Sequence, residues 1–512
     1  MLRGLVPVRT GEGRAVLAVG LIAILYAAAV GIGDVVSQSI FVGRAGAEAL
    51  PRIFLLKAAI DVGAALLYLP MTRGRRPPAV LRLTLVVYIA TVLAGRALVS
   101  AAAGAAPAYI LYVGHECAWT ILTIHWGVYL LDVFDASQAR RLFPVLFGAT
   151  RLGGALAGLV VGAWAAEVGA APLLYASCGL AALALVGSFA PSTAPHRPAA
   201  PALGESPAES ELDDEAAVDD AAPGLLRRWV RGWREAARSP LVRAIALSTA
   251  LMVAVRYALR LVSSGGIEAA FAGDEDRIAG FLGSFDALSN MAGAVLGVLV
   301  LPRLLTWFGV GAINLAYALA SALAPAAALI DPSLASAATA RFVEMALKDA
   351  IKTPLSALFY GAEPPAGRAP ARALVFGAVI PLATLAAAGA LELARRTADP
   401  LATAAAIGLG AALLFAAASW QQNRAWRGRL RALLDLKLAR EEARGRQPDR
   451  HRLARAGNHL TTAELAPIAR GLASTDRRLR AVAEEVLAET IDRRKAHRIA
   501  RALDLRDEKR RD

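Results

Sequence analysis

Long apolar runs dominate the chain from Ala15 to Trp420, each about twenty residues long and separated by short polar connectors. A run of that length spans the hydrocarbon core when coiled as a helix, and an α-helix satisfies its own backbone there. We place twelve runs at 15–33, 51–71, 80–102, 107–131, 142–166 and 170–190, then 241–262, 277–301, 308–330, 333–358, 372–393 and 400–419. The pattern predicts an all-α, polytopic membrane protein whose two six-helix halves flank a long central loop. The first run follows Arg3, Arg9 and Arg14 as a signal peptide would, but it is longer than a signal core, so it is read as a retained helix.

The expected organisation is a short N-terminus (1–14), a first transmembrane half (15–190), a linker (191–240), a second half (241–419) and a charged helical tail (420–512). In the linker, Pro191 to Pro223 is rich in Ala, Pro and acids, too poor in apolar surface to fold. An amphipathic helix is expected at 225–238, with Leu226, Trp229, Val230 and Trp233 on one face and Arg227, Arg231, Arg234 and Arg238 elsewhere. It either lies on an anionic leaflet or packs on the ends of the bundle. In the tail, Asp476 to Leu487 resembles the second helix of a HEAT-type repeat. One such unit cannot bury its own face, so the tail would pack on the membrane domain, a sister chain or a protein partner.

Charge refines this picture. The chain of 512 residues is 56% hydrophobic with net charge +14. The positive excess falls largely in termini and connectors (Arg73, Arg75, Arg76, Arg140, Arg141, Arg303, Arg368), where the positive-inside rule accounts for it and no nucleic-acid partner is implied. Both termini are thereby expected in the cytoplasm, and an inner (plasma) membrane of a bacterium is the expected location. Cys117 and Cys178 sit in apolar runs and offer neither a disulfide framework nor a thiol metal site. There is no Walker-type loop, paired-Cys motif or His-Glu-x-x-His, so no enzyme, cofactor or metal is expected.

Ionisable residues inside the spans carry the functional signal, since each costs about 2.5–3.5 kcal/mol at mid-bilayer. In the tenth span Arg341, Glu344, Lys348 and Lys352 would share an arc of roughly 80° on an α-helix, with Asp349 beside it. Glu344 is expected to pair with Arg341 or Lys348, and Lys352 either joins the stripe or snorkels to the membrane surface. Arg256 and Arg260 lie one turn apart, Lys57 and Asp61 form an i,i+4 pair, and Arg151 interrupts a Gly-rich span. His115 and Glu116 neighbour each other in the fourth span, and Asp286 and Asn290 are one turn apart in the eighth. His115 is expected to hydrogen-bond a neighbouring helix, or else to share proton coupling with Glu116. With Arg96, eight deep bases face five acids, an excess that favours an anionic ligand.

Three stretches give a resemblance. Asp34 with Gly46-Ala-Glu-Ala-Leu-Pro51 is the first, and His125-Trp-Gly127 continuing through Ala139-Arg-Arg-Leu-Phe-Pro144 to Gly153-Gly154 is the second. Lys348-Asp-Ala-Ile-Lys-Thr-Pro354 through Tyr360 and Arg368 is the third. Together they resemble the nucleotide (ATP/ADP) transporter family, a branch of the major-facilitator-like carriers. The resemblance implies a major-facilitator-type 6+6 fold and carriage of a nucleotide. Three positions depart from the family: its first-helix Lys-Asp is Gly33-Asp34 here, its Lys-Glu after the tenth-span proline falls on Ser356-Ala357, and an Asn falls on Leu130.

The expected function is secondary transport of a small anionic solute by alternating access. Arg341, Lys348, Lys352, Arg256, Arg260 and Arg151 would bind the solute, while Glu344, Asp61, Lys57, Glu116, His115 and Asp286 would pair or couple ions. Two alternatives stand beside it: a non-transporting sensor or scaffold acting through its tail, and a proton-coupled major-facilitator exporter.

Overall fold

In the computed structural model of the chain, residues 12–72, 75–134, 136–189, 232–363 and 365–443 are described. No strand occurs among them. The first half contains α1 (Gly13–Ala45), α2 (Leu50–Thr72), α3 (Pro77–Ala101), α4 (Ala105–Val133), α5 (Ala136–Val168) and α6 (Leu173–Gly187). The second contains α7 (Pro240–Phe271), α8 (Glu275–Val295), α9 (Leu301–Ile330), α10 (Leu334–Phe342) and α11 (Thr353–Gly361), followed by α12 (Pro365–Leu374), α13 (Ile380–Ala394) and α14 (Pro400–Ala443). A helix lies over every one of the twelve apolar runs, and seven helices among the described residues are long and apolar enough to cross a membrane. The chain is a polytopic, all-helical membrane protein.

Three stretches of π-helix interrupt the second half: Leu296–Val300, Val343–Lys352 and Val375–Val379. Each ends two residues before a proline, Pro302, Pro354 and Pro381. A proline has no N–H to donate, and its ring strikes the carbonyl four residues earlier. That carbonyl belongs here to residue 298, 350 or 377, inside the π stretch. Widening the turn moves the carbonyl aside and bonds the ladder one residue further back, as where the Thr353 amide donates to Lys348 O.

Connectors gather at two faces. At the turn face, the second half closes onto the first through its carboxylates. Arg44 grips Glu275 with both Nε (2.9 Å) and Nη2 (3.1 Å) and also donates to Val99 O. Glu268 accepts from the Ala47 amide at 2.6 Å and Asp276 from the Ala170 amide at 2.6 Å, so each satisfies an amide just ahead of α2 or α6 that has no partner of its own. Arg52 reaches Glu392 at 3.5 Å. At the opposite, terminal face, Gln138 meets Glu12 and Arg82 meets Ser188 O within the first half. In the second half Glu363 accepts from Ser239 at 2.6 Å and pairs with Arg429 at 3.3 Å.

The halves cross most closely at α5 and α8. A Cβ on Gly158 would meet the Ala287 amide nitrogen and Gly283 O at 2.5 Å, and one on Gly283 would meet the Gly162 nitrogen at 2.6 Å. The Gly154, Gly158 and Gly162 ladder therefore brings the two backbones together, as small residues do in membrane helix pairs. Gly153 packs instead against α1 at Ile24 and Ala27.

The helix of the final run continues past Trp420, α14 reaching Ala443, and Trp426 and Leu430 are buried with Leu241 and Phe359 at the terminal end of the second half. Residues 225–231 of the expected amphipathic helix and 444–512 of the tail, with its HEAT-like stretch, lie outside the described residues.

Candidate functional site

The π stretch at 343–352 dismantles the stripe expected in the tenth span. On a straight α-helix its four charges would face one way, but here they turn toward different helices. Arg341 reaches α8, where Nε and Nη2 donate to Asp286 Oδ1 (2.8 Å) and Oδ2 (2.7 Å) in a bidentate pair that is almost wholly buried. Its Nη1 lies 3.4 Å from Gln38 Oε1 on α1, and Gln38 in turn donates to Ser264 on α7. Glu344 pairs with neither Arg341 nor Lys348; it accepts from Arg256 Nε of α7 at 2.9 Å. Lys348 pairs with its neighbour Asp349 at 3.1 Å.

Lys352 neither snorkels nor faces the other half. It is buried within the second half, donating to Asn314 Oδ1 at 2.9 Å and Ser248 Oγ at 3.4 Å, with the Phe415 ring centre 5.2 Å away. Asn314 is itself held by Asn423, whose amide donates to Gly311 O.

A second group of charges joins α1, α2, α4 and α7. Lys57 pairs with Glu116 across α2 and α4 at 2.8 Å. The side chain of Asp61 lies outside the described residues. Arg260 of α7 donates to Tyr112 OH at 2.7 Å and stands 3.8 Å from Glu116 and 3.9 Å from Asp34. His115 lies against the Val30 backbone of α1, but neither buried ring nitrogen has a well-aligned hydrogen bond, and Asp34 Oδ1 likewise has none. A Cβ on Gly33 would meet His115 Nε2 at 2.6 Å, so this glycine is what lets α1 lie against α4.

Between the halves, Arg151 of α5 faces Asp349 at 3.4 Å. Asp349 thus serves two cations, Arg151 and Lys348. All three side chains sit near the middle of the bundle yet stay partly exposed, at 26%, 21% and 38% for Arg151, Lys348 and Asp349. Arg256 is likewise 32% exposed. Of these pairs Arg151–Asp349 crosses between the halves, while Lys348–Asp349 and Arg256–Glu344 lie within the second half. Arg96 differs, lying against the Tyr175 ring at 5.3 Å within the first half.

Asp34, Tyr112, Gln38 and Asn314 are members of these networks that the sequence reading did not select. Asp34 had a signal, as the charge that directly follows the uncharged first apolar run. Tyr112, Gln38 and Asn314 had none, because one polar residue in an apolar helix has many roles.

Six helical apolar runs in each half, crossing at α5 and α8 around a charged centre, give a major-facilitator-like fold. Solved transporters share it. A mutant form of the peptide transporter POT aligns with a TM-score of 0.55 and 13% identity over 82% of this chain and 97% of that one. The nucleoside transporter NupG aligns with a TM-score of 0.54 and 14% identity, covering 81% of this chain and 98% of that one. A bacterial homologue of the iron transporter ferroportin in an inward-facing state gives 0.53 and 13% over 80% and 98%. No protein-family model matches the chain, and no curated protein matches it.

Proposed function

We propose that the protein is a secondary transporter that carries a small anionic solute, a nucleotide or another phosphorylated metabolite, by alternating access. The observation that carries this reading is the arrangement at Asp349: one carboxylate faces two partly exposed cations, Arg151 from the first half and Lys348 from the second. One positive charge is left without compensation where the halves meet, and a phosphate or carboxylate supplies the missing partner. Arg151, Lys348 and Arg256 form the solute-facing set. Arg341 and Lys352 are buried and engaged elsewhere, and act as structural supports. The ties between halves at the turn face correspond to a state closed on that side. The resemblance to nucleotide transporters favours a phosphorylated cargo. Both termini are assigned to the cytoplasm of a bacterial inner membrane, and the tail to a contact with the bundle or a partner protein.

A proton-coupled exporter is the second reading, favoured by the unsatisfied Asp34 and His115 beside Glu116. Thermal stabilisation of purified protein by ATP, ADP, phosphate and sugar phosphates tests cargo class. A ligand at about 100 times its dissociation constant adds about 2.7 kcal/mol to the folded state. Stabilisation by at least one phosphorylated compound, absent in Lys348→Ala, supports the reading; no stabilisation by any of them opposes it.

A further inference from the structure

We propose that Asp34 is the proton-binding carboxylate that couples the two halves, an inference that rests on the carrier reading. Two acids in the central network look alike in sequence, Asp34 on α1 and Glu116 on α4, and both belong to the first half. Their counter-charges do not. Glu116 holds Lys57 at 2.8 Å, and Lys57 travels with it in the same half. The cation nearest Asp34 is Arg260 of the second half, 3.9 Å from Oδ1, an oxygen with no hydrogen bond.

Rocking the halves apart therefore removes the counter-charge of Asp34 while leaving that of Glu116 in place. A carboxylate in a low-dielectric bundle that loses its cation favours the neutral form, so the motion and the binding of a proton become linked. By reciprocity, a proton on Asp34 weakens the tie to Arg260 and favours separation. Tyr112 and Glu116, the other partners of Arg260, also lie in the first half, so the same motion releases them, and Glu344 is the acid of its own half that acts on Arg260. The groups facing Asp34 from neighbouring elements are Arg260 of α7, His115, Glu116 and Tyr112 of α4, Lys57 of α2, Arg341 of α10 and Tyr88 of α3. Among them only Arg260 and Arg341 belong to the moving half. Arg341 is committed to Asp286, so Arg260 is the partner that motion exchanges. The Asp34 side chain is 18% exposed, which gives a proton a route from solvent.

The test needs no solute. Spin labels are placed at Ala103→Cys and Ala398→Cys, in turn-face connectors of opposite halves, with Cys117→Ala and Cys178→Ala, and their separation is measured against pH in lipid nanodiscs. The wild-type background should show a population of longer distances that grows as pH falls, with a single midpoint. Asp34→Asn should abolish that pH response, Asp34→Glu should retain it at a shifted midpoint, and Glu116→Gln should leave it in place. An unchanged response in Asp34→Asn, or no response in the wild-type background, overturns the proposal. Should Asp34→Asn fail to fold, Asp34→Glu decides, because an unmoved midpoint there also overturns it. The carrier reading fails separately, if a protein with an intact Asp34 response carries no phosphorylated solute.

Discussion

Asp286→Ala removes one side of the bidentate pair with Arg341 and leaves a guanidinium stranded between α8 and α10. Both oxygens accept, at 2.8 and 2.7 Å, and the Arg341 and Asp286 side chains are 2% and 6% exposed, so water cannot replace the lost partner without opening the bundle. Breaking a buried pair on one side typically costs about 3–5 kcal/mol, a factor of about 10² to 10³ or more in the folding equilibrium. Ordinary hydrogen bonds between membrane helices average only about 0.6 kcal/mol, so the two cases are well separated. Reversible unfolding in mixed detergent micelles, or steric trapping, measures the difference. The double variant Asp286→Leu with Arg341→Met removes both charges and should recover most of the loss, because a buried pair replaced by apolar groups is often neutral or stabilising. A single-variant loss at or below about 0.6 kcal/mol would place Arg341 in contact with water and return it to the solute-facing set. A double variant less stable than the single would refute the reasoning altogether.

Three further outcomes follow from other parts of the structure. Gly158→Leu should push α5 from α8, since even its Cβ would meet backbone atoms at 2.5 Å; overpacking of about 1–3 kcal/mol at a contact between halves should lengthen the turn-face spin-label distance and slow transport, with helix content by circular dichroism unchanged. Glu268→Ala removes the acceptor for the Ala47 amide, and a cap worth about 1 kcal/mol should shift the closed-to-open ratio roughly fivefold in the same distance measurement. Pro354→Ala restores an amide donor and removes the ring, so the π stretch at 343–352 should relax toward α-helix and Lys352 should lose its 2.9 Å contact with Asn314; a structure of the variant that keeps the π stretch would show that another constraint maintains it.

The helices were legible because hydrophobic length is a local signal. Every apolar run coincides with a helix, and the basic connectors mark their ends. The Gly-rich span supplies the glycines at 154, 158 and 162 that meet α8 at the α5–α8 crossing. The pairing of charges was not legible. Arg341 finds its partner 55 positions away, Arg256 finds its partner 88 positions away, and Lys57 reaches Glu116 on another helix. Periodicity failed at the tenth span for a definite reason: the arc was drawn at 100° per residue, and the π stretch ahead of Pro354 does not turn at that angle. The expected surplus of three positive charges also shrinks, because Asp34 joins the network and Arg96 lies against Tyr175. Among the described residues two positive charges lack a carboxylate of their own: Lys352, held by Asn314 and Ser248, and one of the two cations that share Asp349 between the halves.

Uptake of labelled ATP, ADP and phosphate into proteoliposomes measures the carrier claim most directly, with protein-free vesicles as the baseline. The wild-type chain should accumulate or exchange at least one of these solutes. Lys348→Ala and Arg151→Ala should each reduce the flux by about tenfold or more at low solute concentration, the equivalent of about 1.4 kcal/mol of lost interaction, while the purified variants unfold at the wild-type temperature. Wild-type flux no greater than that of empty vesicles for all three solutes, or undiminished flux in both variants, would contradict it.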